Sequence, residues 1–181
     1  AAGVKKIYKI GGAQAIAAMA FGTETIPRVD KITGPGNIFV TLAKKEVYGH
    51  VDIDMLAGPS EILIVADKTA DPVYTAADML SQAEHDPLAS SIVITDDAEL
   101  AEKVAKEAEK QLAALPRREI AKASIDRNGL IVVADDMMQA MRFANVSAPE
   151  HMELLTAQPF QLLPYVRHAG AVFLGAYSPE P

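Results

Sequence analysis

The sequence predicts an α/β protein: a doubly wound, mainly parallel sheet, Rossmann-like but incomplete. Three observations carry this expectation. Strand-length apolar runs alternate with helix-length segments along most of the chain, as a parallel sheet with crossover helices requires. The run "EILIVAD" is apolar almost throughout, which suits a central parallel strand covered on both faces. The first third of the chain supplies only about two strands, too few for a sheet that stands alone.

Taken in order, "KIYKIGG" reads as a short strand closed by glycines. "AQAIAAMAF" reads as a helix of small apolar residues, buried on nearly every side. "KITGPGN" is a strand and tight turn, and "IFVTLAKKEVYG" an amphipathic helix stopped by Gly49. "EILIVAD" is the central strand. Asp71-Pro72 is an N-cap with proline at the first helical position, so a helix is expected over 72–84. "SIVIT" is a strand, and "DDAELAEKVAKEAEKQLAAL" a long charged helix ended by Pro116. "GLIVVAD" is a strand, "DMMQAMRFAN" a helix and "MELLTA" a strand. "PFQLLPYVRHAG" is a helix interrupted by Pro164, and "AVFLG" a last strand. In the longer part, strands are expected near 61–66, 91–95, 130–134, 152–156 and 171–174, paired in parallel. The Gly/Pro-bearing stretch "DMLAGPS" is the hinge candidate. It divides a partial unit, 1–56, from a second Rossmann-like domain, 57–181.

Composition narrows the function. Half of the 181 residues are apolar and 23% are charged, a globular balance. A net charge of -7 argues against a nucleic-acid partner, whose footprint is a basic patch. No apolar run reaches membrane-spanning length, and no signal peptide opens the chain. With no cysteine there is no disulfide framework, which leaves a cytoplasmic location as the expectation. Any metal must then be held by His, carboxylate or amide oxygen.

Ligands of open parallel sheets bind at the carboxyl ends of strands, and the unusual residues are expected largely in such loops or at helix ends. "GGAQ", with Gln14, follows the first strand. It is either a tight turn or a backbone cradle leading to a helix N-terminus that can take a phosphate. In "GPGN" Asn37 can cap the next helix, which alone suffices to explain it. "AGPSE" offers the hydroxyl of Ser60 in another turn. In "SQAEHDP" Gln82 and His85 are three apart and share a helix face, so they are either metal ligands or ordinary polar residues at a helix end. Glu84 should point elsewhere. In "SAPEHME" Pro149 fixes an extended or turned backbone before Glu150 and His151. A neighbouring carboxylate and imidazole can serve as general acid and base, or be an exposed polar turn.

"GGAQAIAAMAFGT", "ITGPGN", "VDIDMLAGPSE", "SQAEHDP", "SAPEHMELLT" and "AVFLGAYSPE" together, in this order, resemble the central part of histidinol dehydrogenase. The resemblance implies a zinc-containing, NAD-dependent oxidoreductase. Such an enzyme carries L-histidinol through an aldehyde to L-histidine, a four-electron oxidation that ends histidine biosynthesis, and works as a homodimer. Carried over residue by residue, it implies that Gln82 and His85 bind zinc and substrate. Ser60 contacts substrate, and Gln14 and Asn37 touch NAD. Glu150 activates water, and His151 is the main base and also meets the substrate. Glu84 has no assigned role.

Family members carry further parts on both sides of this region, including an aspartate and a histidine zinc ligand and a glutamate. The chain is therefore expected to be a fragment, itself inactive. Two other readings stay open. One is a non-catalytic α/β module that binds a small ligand. The other is an NAD-dependent aldehyde-oxidising enzyme of another family, against which the lack of a cysteine nucleophile counts.

Overall fold

The computed structural model describes residues 3–56 and 58–178. It divides into two compact units, Ala1–Gly58 and Pro59–Pro181. Ala57, where the second domain is expected to begin, lies outside the described residues, as do Pro179 and Glu180 of the last family segment.

The first unit is small. Helix α1 (Gly12–Phe21) precedes β1 (Lys31–Ile32), α2 (Ile38–Val47) and β2 (Asp52–Ile53). The strands pair in parallel, Lys31 with Asp52 and Ile32 with Ile53, so β1–α2–β2 is a crossover unit. Its core gathers Ile16, Ala20, Ile32, Val47 and Val51. The strand expected in "KIYKIGG" is not formed: residues 6–11 are irregular and exposed. A strand needs a partner ladder, and within this unit β1 pairs with β2 instead, an element absent from the sequence reading. Helix α1 also departs from expectation. Ala15, Ile16, Ala18 and Ala20 are buried, while Gln14, Ala17 and Phe21 form an exposed stripe.

One ion pair orders this unit's glycine turn. Lys44, on α2 and only 4% exposed, donates from Nζ to the carbonyl of Gly34 (2.5 Å) and to Asp54 Oδ1 (2.6 Å). The Asp54 carboxylate also accepts from the backbone N–H groups of Gly34 (2.7 Å) and Met55 (2.7 Å). The Lys44 hydrogen bond first, then those two N–H groups, hold the Asp54 carboxyl far below its ordinary value of 3.8. A depressed carboxyl stabilises the fold above its unfolded pKa, and that contribution fades as pH falls through the folded value. Asp54→Asn should therefore be less stable than the parent at pH 7. The gap in urea midpoints should narrow as pH falls below about 4; a gap that widens in acid contradicts this role.

The second unit is the Rossmann-like one. Its elements are β3 (Glu61–Ala66), α3 (Pro72–Ala83), β4 (Ser90–Thr95), α4 (Ala98–Leu112), α5 (Arg118–Asn128), β5 (Gly129–Val133), α6 (Met137–Ser147), β6 (His151–Leu155), α7 (Pro159–Leu162), a 3-10 turn (Leu163–Tyr165) and β7 (Ala171–Leu174). All neighbouring strands are parallel, in the order β5-β4-β3-β6-β7. The chain winds outward from β3 to one edge, returns, and winds to the other, which is the doubly wound topology. Helices α3, α4 and α5 follow one another on one side, with Met79, Leu100, Val104 and Ala108 packed on Ile62, Ile64 and Val93. On the other side Ala140, Met141 and Ala144 of α6 pack on Leu63, Val65, Met152 and Leu154.

The local signals explain these bounds. Asp71, Asp97 and Asp136 cap α3, α4 and α6 by accepting from Val73, Leu100 and Gln139 N–H groups. On α4, Lys103–Glu99 (2.8 Å) and Lys106–Glu102 (3.6 Å) pair across one turn of the solvent face. Helix α5 is absent from the sequence reading; its buried Ala121 and Ser124 leave a weak apolar stripe, and Ser124 Oγ bonds the Ala89 carbonyl instead (3.0 Å). The helix expected over "PFQLLPYVRHAG" is only one turn plus a 3-10 turn. Pro164 lacks the N–H that a continuing helix needs.

Candidate functional site

Ser60, Gln82, His85, Glu150 and His151 all come to the amino-terminal edge of the second sheet. Ser60 immediately precedes β3, and its carbonyl accepts from Ser90 N–H (3.1 Å), tying it to the start of β4. Helix α3 runs back from the carboxyl edge, so its last turn delivers Gln82 and, just beyond it, His85 to the same edge. Glu150 and His151 stand at the start of β6. Gln82 and His85 do stand at a helix end, one of the two places expected, but Ser60, Glu150 and His151 lie at strand starts and not in carboxyl-end loops. In the second unit the opposite edge is used, because helices return antiparallel to the strands.

The carboxyl end between β3 and β6, where the winding reverses, is tied shut by Asp67. Its Oδ1 accepts from Thr69 N–H (2.8 Å), its Oδ2 from Ala157 N–H (2.8 Å), and its own N–H bonds the Leu155 carbonyl (3.3 Å).

Register fixes relative heights within the site. Ile62 on β3 is level with both Ser91 on β4 and His151 on β6. Ser91 Oγ donates to the carbonyl of Met79 (2.8 Å), which anchors the last turns of α3 at that height. Gln82 follows Met79 by three residues, so it lies in the last turn of α3 toward the edge where His151 opens β6. Gln82 is 1% exposed, and neither its amide nitrogen nor its carbonyl oxygen has a hydrogen-bond partner among the described residues. A buried, unpaired carboxamide costs on the order of 1–3 kcal/mol, and metal coordination would satisfy its oxygen. His85 is exposed, and Glu84 caps α3 through its backbone. Among the described residues no three His, Asp or Glu side chains gather into a metal cluster. The Gln82 oxygen is a buried donor that a metal would satisfy, and His85 offers an exposed imidazole just past the end of the same helix.

The approach to Glu150 is shaped by backbone. Helix α6 ends at Ala148 in the left-handed region (φ 49°, ψ 55°), with its N–H on the Ala144 carbonyl (3.1 Å). Pro149 is buried, and Glu150 and His151 are half-buried. The Pro149 and Glu150 carbonyls accept from Gly170 and Ala171 N–H groups (3.1 and 2.8 Å), so β7 clamps the pair from one side. His151 also meets Phe173 edge-on, with ring centroids 6.0 Å apart. Alanine in the left-handed region carries about 1 kcal/mol of strain, which glycine would relieve against its larger unfolded-state entropy. Ala148→Gly should leave stability unchanged or raise it by about 0.5 kcal/mol. A clear fall in Tm would show that Ala148 makes contacts that matter.

In the first unit, Gln14 and Asn37 are exposed. Asn37 Oδ1 caps α2 by accepting from Phe39 and Val40 N–H groups (3.1 and 3.2 Å). Helix α1 begins at Gly12 (φ +71°) without any side-chain cap, so its first-turn N–H groups have no such partner. Gln14 Oε1 folds back over Gly12, 2.8 Å from where a Cβ would stand.

Two buried ionisable residues escaped the sequence reading. Lys44 carries no distinctive spacing. Glu153 had a signal: a carboxylate inside the apolar strand "HMELL", where it is fully buried. Burial pushes the Asp78 carboxyl on α3 up, and a hydrogen bond with Glu153 opposes that shift.

Known proteins share this fold and sequence. Gamma-glutamyl phosphate reductase from Thermotoga maritima is similar at a TM-score of 0.54 with 13% identity over 90% of this chain and 45% of that one; this likeness is one of fold alone. The crystal structure of histidinol dehydrogenase from Elizabethkingia anophelis superposes with a TM-score of 0.93 and 45% identity over 98% of this chain and 41% of that one. Histidinol dehydrogenase from Bacillus cereus is 61% identical over 180 residues, and that from Bacillus subtilis 62% over 179. Each alignment covers 99% of this chain, which spans about 42% of the length of either relative. The histidinol dehydrogenase family model matches residues 1–181, and with these identities it shows that the chain belongs to the histidinol dehydrogenase family.

Proposed function

We propose that this chain is part of a zinc-containing, NAD-dependent histidinol dehydrogenase that oxidises L-histidinol to L-histidine through the aldehyde. The observation that supports this best is the buried, unpaired Gln82 carboxamide in the last turn of α3, which ends at the sheet edge where Glu150 and His151 stand. In this reading Gln82 and His85 hold zinc and, with Ser60 and His151, the substrate. Gln14 and Asn37 meet NAD near the uncapped start of α1, a position suited to a phosphate. Bound zinc would fix a substrate nitrogen, and bound NAD would accept one hydride in each of the two oxidations.

His151 takes the hydroxyl proton as the alcohol becomes an aldehyde. An aldehyde has no second hydride to give until water adds, and Glu150 takes the proton of that water. Proton removal then accompanies the second oxidation to the carboxylate. Two donors do not complete a tetrahedral site, so the 181 residues alone are assigned no catalysis. The reading includes a cytoplasmic homodimer as the working form. The test is NADH formation from L-histidinol by the complete protein, with two NADH per histidine formed. Tight binding of histidinol with no NADH would return the chain to the non-catalytic binding module.

A further inference from the structure

Ala121, Ser124 and Asn128 share one face of α5, and the two polar ones, the buried Ser124 and the half-buried Asn128, stand one turn apart. Both donate to one acceptor: the Ala89 carbonyl takes Ser124 Oγ (3.0 Å) and Asn128 Nδ2 (3.1 Å). Asn128 Nδ2 also meets the Leu88 carbonyl (3.2 Å). At the start of α5, Arg117 Nη2 reaches the His85 carbonyl in a long contact of 3.5 Å. One helix thus grips the loop 85–90 by its backbone.

That loop joins residues of the site. The peptide group between Ala89 and Ser90 is held on both sides, its carbonyl by α5 and its N–H on the Ser60 carbonyl (3.1 Å). Asp86 closes a turn within the loop, its Oδ1 accepting from Leu88 N–H (2.8 Å) and its carbonyl from Ala89 N–H (2.9 Å). Beyond Asp86, His85 N–H bonds the Gln82 carbonyl (3.2 Å). Backbone links therefore run from α5 to Ser60 in one direction and to His85 and Gln82 in the other. A buried carbonyl is satisfied by one donor, and the fully buried Ala89 carbonyl has two. Two donors fix the direction of the peptide and polarise it, which strengthens its N–H bond to Ser60.

We propose that Ser124 and Asn128 are positioning residues: they fix the 89–90 peptide, and through it hold Ser60 and His85 in register for substrate and metal. This rests on the zinc and histidinol reading above and extends it to a helix assigned no part in either. Asn128→Asp keeps the side chain's shape and removes its donor, and Ser124→Ala removes the other. In the complete protein, zinc affinity is measured by titrating the metal-stripped form with zinc alone, and histidinol and NAD affinities by calorimetry on the zinc-loaded form. Ser124→Ala/Asn128→Asp should bind both zinc and histidinol at least about fivefold more weakly, the effect of losing hydrogen bonds of ordinary strength. NAD affinity should not change, because Gln14 and Asn37 belong to the first unit. Ala121→Gly is the control. Ala121 is fully buried on α5, so glycine there weakens the helix and leaves both donors in place. It should lower Tm and keep the parent's zinc and histidinol affinities.

Parental zinc and histidinol affinities in the double variant overturn the proposal. So does the loss of only one of them, since one loop carries both residues. Equal losses in Ala121→Gly, or a matching loss of NAD affinity, overturn it too, because α5 would then act through general stability. Should the double variant not fold, Asn128→Asp alone decides by the same measurements. A parent that binds neither zinc nor histidinol would instead sink the functional reading, and this inference with it.

Discussion

Glu150→Gln in the complete protein is expected to slow aldehyde oxidation by about a hundred- to ten-thousand-fold, the usual worth of a positioned acid or base. Alcohol oxidation should suffer much less, because only the second step needs activated water. His151→Asn should damage alcohol oxidation by a similar factor, because the hydroxyl proton has lost its acceptor. The two residues are adjacent, yet they project differently. His151 opens β6 with its ring toward Phe173, while Glu150 precedes the strand and is held by its carbonyl on Ala171 N–H. Histidinol and histidinaldehyde supplied separately to each variant, with NADH followed, give the answer. Equal losses on both substrates for Glu150→Gln would defeat this division of labour. No loss in either variant would reduce the pair to a polar turn.

Gly170→Ala should be the most damaging small substitution near the site. A Cβ at Gly170 would stand 2.6 Å from the Glu150 carbonyl oxygen and 3.5 Å from its Cα, and no flexible side chain is there to give way. The backbone must retreat, at about 1–3 kcal/mol as in overpacked cores. Retreat would disturb the Ala171 N–H bond to that same carbonyl (2.8 Å) and the Gly170 N–H bond to Pro149. Glu150 and His151 would shift together, so both oxidations should fall along with the unfolding midpoint. Gly175→Ala is the control. Gly175 (φ +82°) has nothing within 4 Å of its Cβ position, so it introduces strain without a clash. Full activity in Gly170→Ala would show that β7 does not set the position of Glu150.

The sequence by itself determined the elements whose signals are local. Asp71-Pro72 places the start of α3 as expected, and the apolar run "EILIVAD" becomes the central strand, with Ile62 to Ala66 at most 1% exposed. Caps and unbroken apolar runs act on their own neighbours, so they are legible without a fold. The family was legible for a different reason: six ordered segments together are specific where each alone is not. What only the tertiary structure decided depends on pairing between distant residues. "KIYKI" has a strand's composition but forms none in its unit, and "DI" at 52–53 becomes one because β1 is its partner. The edge of the sheet that bears Gln82, Glu150 and His151 follows from the direction in which α3 returns, which no spacing encodes. Asp78 and Glu153, 75 positions apart, meet only because β6 and β4 flank β3 and α3 packs over them. Burial of charge is a property of that assembly: the same glutamate in an unfolded chain is an ordinary solvated carboxylate.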